Sequence, residues 1–268
     1  MKISRRYFLK ILSSLSLWLF KSNAWGNVCL PGMTLEQSLG PFYPDPKDPN
    51  FSVREKPDLS LPWPEANDND LTLIKGLTEK AKGQVIYLTG QCFDEKCDPI
   101  AGAKIILWQA SASGRYNHLG DRSFISFKDP RSGNPIERKH DPNFQYWGHA
   151  LSDNNGNYIF KTIIPGFYPA DLNSEWFRPP HLHFIVKAEG YSILTTQTYF
   201  RGNDILDHKW IQYLNSQDYV LRSSGSLEEQ SRLIVEYKID PKNNGELLGN
   251  FNFYLNSVKG LKSFFNFQ

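Results

Sequence analysis

The sequence predicts an all-β protein, a β-sandwich core with an extended N-terminal arm and long loops. Three observations carry this. Short runs rich in Val, Ile, Tyr, Phe and Thr recur along the chain, each bounded by Gly, Pro, Asn or Asp. Seventeen prolines and nineteen glycines disfavour a helical bundle. A length of 268 residues with 40% hydrophobic and 14% aromatic content suffices for one sizeable core, and neither an internal repeat nor a second domain is visible.

The elements follow in order. Residues 1–24 read as an address: Ser4-Arg5-Arg6-Tyr7-Phe8-Leu9-Lys10 precedes an apolar run from Ile11 to Phe20, and Ser22-Asn23-Ala24 offers a cleavage site. The paired arginines predict a twin-arginine-type signal, which exports folded protein to the periplasm. The run of about ten residues is too short to span a bilayer, so no membrane partner is expected after cleavage. Residues 25–80 are rich in Pro, Asp and Asn, and Gly40-Pro41-Phe42-Tyr43-Pro44 predicts an extended arm. Residues 81–268 form the sandwich domain. Its predicted strands are Gln84 to Cys92, Ala103 to Ala110, Asn157 to Ile163, His181 to Lys187, Leu194 to Phe200, Arg232 to Ile239 and Asn250 to Leu255. Ser226 N-caps a predicted short helix over Ser226 to Ser231. The polar stretch Phe124 to His140 predicts a surface loop.

Charge and cysteines set further bounds. Thirty basic residues face 28 acidic ones, so there is no electrostatic footprint for nucleic acid. Removing residues 1–24 takes away five basic residues and no acid, which leaves the mature chain at −3. The three cysteines are Cys29, Cys92 and Cys97. In an exported protein a Cys92–Cys97 bridge across a strand–turn–strand is expected, with Cys29 left over. The spacing does not suit zinc.

Chemistry concentrates late in the chain. His181-Leu182-His183 lies in a predicted strand, where residues two apart share a face, so the two imidazoles converge. Arg178-Pro179-Pro180 delivers that strand rigidly. No carboxylate lies beside the pair, which argues against a carboxylate facial triad. Two tyrosines stand in constrained settings: Tyr116 after Trp108-Gln109-Ala110, and Tyr168 inside Pro165-Gly166-Phe167-Tyr168-Pro169. Phenolate is a hard anionic donor whose phenol ionises near pH 7 only beside a strongly charged cation, and two phenolates with two imidazoles suit Fe(III).

Seven ordered segments carry a resemblance: G-P-F-Y-P, G-Q-x(n)-P-I-x-G-A, W-Q-A-x-A-x-G-R-Y, D-P-N-F, P-G-x-Y-P, W-x-R-P-x-H-x-H-F and T-T-Q-x-Y-F. Between about Leu35 and Asp204 the chain resembles the intradiol ring-cleavage dioxygenases, in particular the protocatechuate 3,4-dioxygenase chains. The resemblance implies that Tyr116, Tyr168, His181 and His183 ligate one non-haem Fe(III), Tyr168 and His183 axially and Tyr116 and His181 equatorially. It implies that Arg178 stabilises negative charge on the substrate ring and that Gln197 hydrogen-bonds near it. A catechol would displace Tyr168 and be cut by O2 between its two hydroxylated carbons, giving a muconate-type diacid. No external reductant is required.

The departures bear on substrate and assembly. The segment between Tyr116 and Asp141 is roughly a dozen residues longer than the family pattern, and could form a lid or reshape the entrance. Ala170 stands where protocatechuate enzymes tend to carry a bulky aromatic. Those enzymes complete each site with a partner chain, so a homo-oligomer with its own substrate choice is expected here. The alternative is a non-catalytic, transthyretin-like binding module, suggested by Pro99-Ile100-Ala101-Gly102-Ala103. It leaves the two tyrosines, the two histidines and the arginine unexplained.

Overall fold

A computed structural model describes residues 32–43, 68–118, 120–241 and 245–258. The signal segment 1–24, Cys29 and the middle of the arm lie outside the described residues. The strands are β1 (Val85–Asp94), β2 (Lys104–Trp108), β3 (Ser126–Lys128), β4 (Pro135–Glu137), β5 (Trp147–Leu151), β6 (Asn157–Ile163), β7 (Tyr168–Asp171), β8 (Trp176–Arg178), β9 (His181–Lys187) and β10 (Leu194–Phe200). Three helices follow, α1 (His208–Gln217), α2 (Tyr219–Arg222) and α3 (Leu227–Arg232). Then come β11 (Ile234–Val235), β12 (Lys238–Ile239), β13 (Leu247–Asn250) and β14 (Phe253–Leu255). No helix among the described residues is long and apolar enough to cross a membrane.

Two five-stranded sheets make the sandwich. In one, β1 pairs antiparallel with β6 on one side; on the other it runs parallel to β13 and then β14, and β12 flanks β13. The second sheet runs β11-β10-β9-β2-β5. Inward-facing residues alternate along β1, and Ile86, Leu88 and Cys92 meet Leu182, Phe184 and Val186 of β9 in the core between the sheets. β9 is buried on both faces. Its inner face is core; its outer face carries His181, His183 and Ile185 under the loops and the arm.

Sequence and structure part in four places. The expected strand over Arg232 to Ile239 is two short strands in different sheets, because β11 adds to β10 while β12 adds to β13. The strand over Asn250 to Leu255 breaks at Phe251-Asn252, where the partner of β1 changes from β13 to β14. The Cys92–Cys97 bridge does not form: Cys92 is a free thiol in the core, whereas Cys97 is disulfide-bonded elsewhere. The reason is geometric, since β1 continues to Asp94 with Cys92 turned inward, and Cys97 sits in the partly exposed turn beyond it. Phe124 to His140 is not simply a surface loop. It contains the β3–β4 hairpin, with Phe127, Asp129 and Arg138 buried. The helix capped by Ser226 is present as α3, with a full capping box to Glu229.

Candidate active site

The candidate site lies on the outer face of the second sheet, where three loops converge on β9. Tyr116 comes from the loop after β2. Tyr168 opens β7, directly across the β7–β8 hairpin from Arg178. Arg178 runs through Pro179-Pro180 into His181. The Tyr116 and Tyr168 loops stack closely because Gly114 and Gly166 lack side chains. A Cβ on Gly114 would meet the Phe167 carbonyl oxygen at 2.6 Å, and one on Gly166 would meet the Ala112 carbonyl oxygen at 2.5 Å.

The donor atoms of these side chains cluster. Tyr116 Oη lies 3.1 Å from His181 Nε2 and 2.9 Å from His183 Nε2, and the two Nε2 atoms are 3.1 Å apart. The Tyr116 and Tyr168 hydroxyls are hydrogen-bonded to each other, their rings edge-on at 5.6 Å. Donors ~2.1 Å from one ion and at right angles to each other stand ~3 Å apart, so this spacing suits a single metal ion. His181 Nδ1 donates to the Pro179 carbonyl at 2.6 Å, which leaves the Nε2 lone pair facing the cluster. The ring of His183 stacks on Trp108, 4.8 Å away and 14° from parallel.

Electrostatics complete the picture. Burial holds the Tyr116 phenol well above its ordinary pKa and raises that of Tyr168, partly opposed by the Arg178 charge. Burial, with Arg178 adding to it, holds both imidazoles neutral. The cluster therefore offers two phenols and two neutral imidazoles. No group of three or more His, Cys, Asp or Glu side chains converges among the described residues. This donor set fits a hard trivalent cation, which ionises both phenols, better than zinc or a carboxylate-bound Fe(II).

Arg178 is fully committed on one edge. Nε donates to Asp218 Oδ2 at 2.6 Å and Nη2 to Gln197 Oε1 at 2.7 Å. Gln197 pairs in register with His183 across β9 and β10, and its amide donates to the Ser38 carbonyl at 3.0 Å. The described part of the arm covers the site. Gln37 N–H donates to the Thr195 carbonyl, and the Phe42 ring sits 4.9 Å from that of Tyr116. Beside the cluster opens a cavity of about 420 Å³, walled by Gly40, Phe42, Tyr168, Ala170, Trp176 and Arg178 among others. That volume accommodates a small aromatic ring.

A family model described as Dioxygenase matches residues 57–256. A protocatechuate 3,4-dioxygenase beta chain from Burkholderia cepacia is 31% identical over 183 residues, 68% of this chain and 68% of its own length. The chain belongs to the intradiol ring-cleavage dioxygenase family. A catechol 1,2-dioxygenase from Acinetobacter lwoffii is 29% identical over 135 residues, 46% of this chain and 42% of that relative's length. An intradiol ring-cleavage dioxygenase from Tetranychus urticae shares the fold, with a TM-score of 0.55 at 20% identity over 84% of this chain and 95% of that one.

In this dioxygenase the structure brings all six residues singled out from sequence into one place. It adds others that sequence reasoning passed over. Asp218, the α2 N-cap, is the counter-ion of Arg178 from 40 residues away, and no local pattern announces it. Asp121 accepts the Tyr116 backbone N–H at 2.7 Å. Trp108 and Phe42 stood in recognised motifs, but their contacts with His183 and Tyr116 appear only in three dimensions.

Proposed function

We propose that this protein is a non-haem Fe(III) dioxygenase that cleaves a catechol-type ring between its two hydroxylated carbons. The convergence of Tyr116, Tyr168, His181 and His183 beside Arg178 and an aromatic-sized cavity carries the reading. These four side chains would hold the metal, with Arg178, Gln197 and Tyr168 acting on the substrate. Ferric iron, when bound, withdraws electron density from a chelated catechol and opens its ring to O2.

The chain's own groups do the rest. Tyr168, at the cavity wall, is placed to take a proton from a catechol hydroxyl at its Oη as the substrate binds. The Arg178 guanidinium is fixed in advance by Asp218 and Gln197, so it meets negative charge on the ring without reorganising. Phe42 and the arm exclude water from above. The reaction breaks one ring carbon–carbon bond and places one oxygen atom in each new carboxyl group. O2 is the oxidant and the ring supplies all four electrons, so no further reductant is consumed.

Residues 1–24 support export to the periplasm through a twin-arginine-type signal, and a homo-oligomer is the assembly we infer. The deciding experiment is the visible spectrum of the ferric-reconstituted protein, followed anaerobically during addition of catechol and then protocatechuate. A phenolate-to-iron charge-transfer band that moves on chelation is the expected result, with one O2 consumed per muconate-type product in air. A colourless protein that retains no iron would leave an exported β-sandwich binding module.

A further inference from the structure

The segment between Tyr116 and Asp141 folds into the β3–β4 hairpin, which packs behind the site. Phe127 of β3 packs against Phe167 and Phe177, with ring centroids 5.8 and 5.7 Å away, and those residues immediately precede Tyr168 and Arg178. The hairpin turn is pinned as well. Arg131 pairs with Asp129 at 2.7 Å and lies 5.2 Å from the Phe167 and Trp210 rings.

The segment also carries Arg138, whose side chain is 1% exposed. Three of its nitrogens are used. Nε donates to the Gly114 carbonyl at 3.0 Å, Nη1 to the Ser123 carbonyl at 3.0 Å, and Nη2 to Gly114 O at 2.6 Å and to both Asp121 oxygens at 2.8 Å. Asp121 in turn accepts the backbone N–H of Tyr116. The same guanidinium lies 5.1 Å from the centre of the Tyr168 ring and lines the cavity. One buried cation thus touches the loop of one candidate phenol ligand and the ring of the other.

We propose that Arg138 is a positioning residue for both phenol ligands, supplied by the segment that carries the β3–β4 hairpin. It ties the Gly114–Tyr116 loop to Asp121 and sets a fixed positive charge against the Tyr168 ring. It would hold the Tyr116 and Tyr168 side chains where both can reach one metal ion. This rests on the iron-dependent reading above, so the wild-type spectrum is recorded first. A wild-type protein without iron or ring cleavage sinks that reading, independently of Arg138.

The test compares Arg138→Met and Arg138→Lys with the surface control Lys139→Ala, whose ammonium only pairs with exposed Glu137. Iron content, band position and the split between kcat and KM are read together. A cation over a phenolate ring stabilises the donor electrons, so Arg138→Met shifts the band to longer wavelength. A misplaced ligand lowers kcat ~10- to 100-fold, with KM changed less. Arg138→Lys restores most of the band position but not the rate, because an ammonium keeps the charge and loses the fork. Should Arg138→Met fail to fold, Arg138→Lys decides alone: a wild-type rate overturns the proposal. Stoichiometric iron with wild-type band and kcat in both variants also overturns it. Lys139→Ala is expected to match wild type.

Discussion

At the residue scale, position and protonation state decide what each group can do. Either His181→Ala or Tyr116→Phe deletes a donor from a cluster whose atoms stand about 3 Å apart. Loss of most bound iron is expected, read by metal analysis, with the fold retained by circular dichroism. Asp218→Asn removes the carboxylate that receives Arg178 Nε but leaves an amide oxygen to cap α2. Arg178 then loses an anchor and gains an uncompensated charge. A fall in kcat/KM of ~10-fold or more is expected, with iron content unchanged. Retention of the wild-type value would mean that Gln197 alone fixes the guanidinium.

At the element scale, hairpins and caps hold the site-bearing loops in place. The β3–β4 turn depends on Asp129, whose carboxyl is held below the ordinary range chiefly by hydrogen bonds from Arg131, with burial opposing. A lowered folded-state pKa makes this contribution complete above the ordinary aspartate value of ~4 and lost as pH falls through the folded value. Asp129→Asn is therefore expected to destabilise the protein at pH 7 and to converge with wild type near pH 2 in urea titrations. At α3, the Ser226 hydroxyl accepts the Glu229 N–H and the Glu229 carboxylate accepts the Ser226 N–H. Ser226→Ala is expected to cost ~1 kcal/mol. No α3 residue lines the site cavity, so activity should change little.

At the scale of the whole molecule, the two sheets enclose one core beneath the loops that carry the site. Phe184 and Cys92 are completely buried between them. Burial pushes the Cys92 thiol up to about 12, so almost none is thiolate at pH 8. Cys92 should resist thiol reagents in the native protein and react only on unfolding, with a rate that tracks global opening. Rapid labelling of native protein would mean that the sandwich opens locally. Phe184→Ala is expected to cost ~3–5 kcal/mol. It should also loosen β9, which carries both histidines on its opposite face.

The sequence by itself determined the β-sandwich class, the limits of β6, β9 and β10, the α3 cap and the six residues that meet at the site. The strand limits and the histidine pair follow from two-residue alternation and the α3 cap from its serine, whereas Tyr116, Tyr168, Arg178 and Gln197 follow from ordered motifs that resemble those of the family. Only the tertiary structure decided the rest. The C-terminal strands divide between sheets because pairing partners lie scores of residues away. Cys92 faces the core in phase with Ile86 and Leu88, and Cys97 lies beyond the end of β1. Asp218 and Arg138 serve the site although they lie 40 residues from Arg178 and 22 from Tyr116. Long-range contacts between polar side chains leave no periodicity in the chain, and a buried guanidinium reads in sequence as a surface charge until its partners are seen.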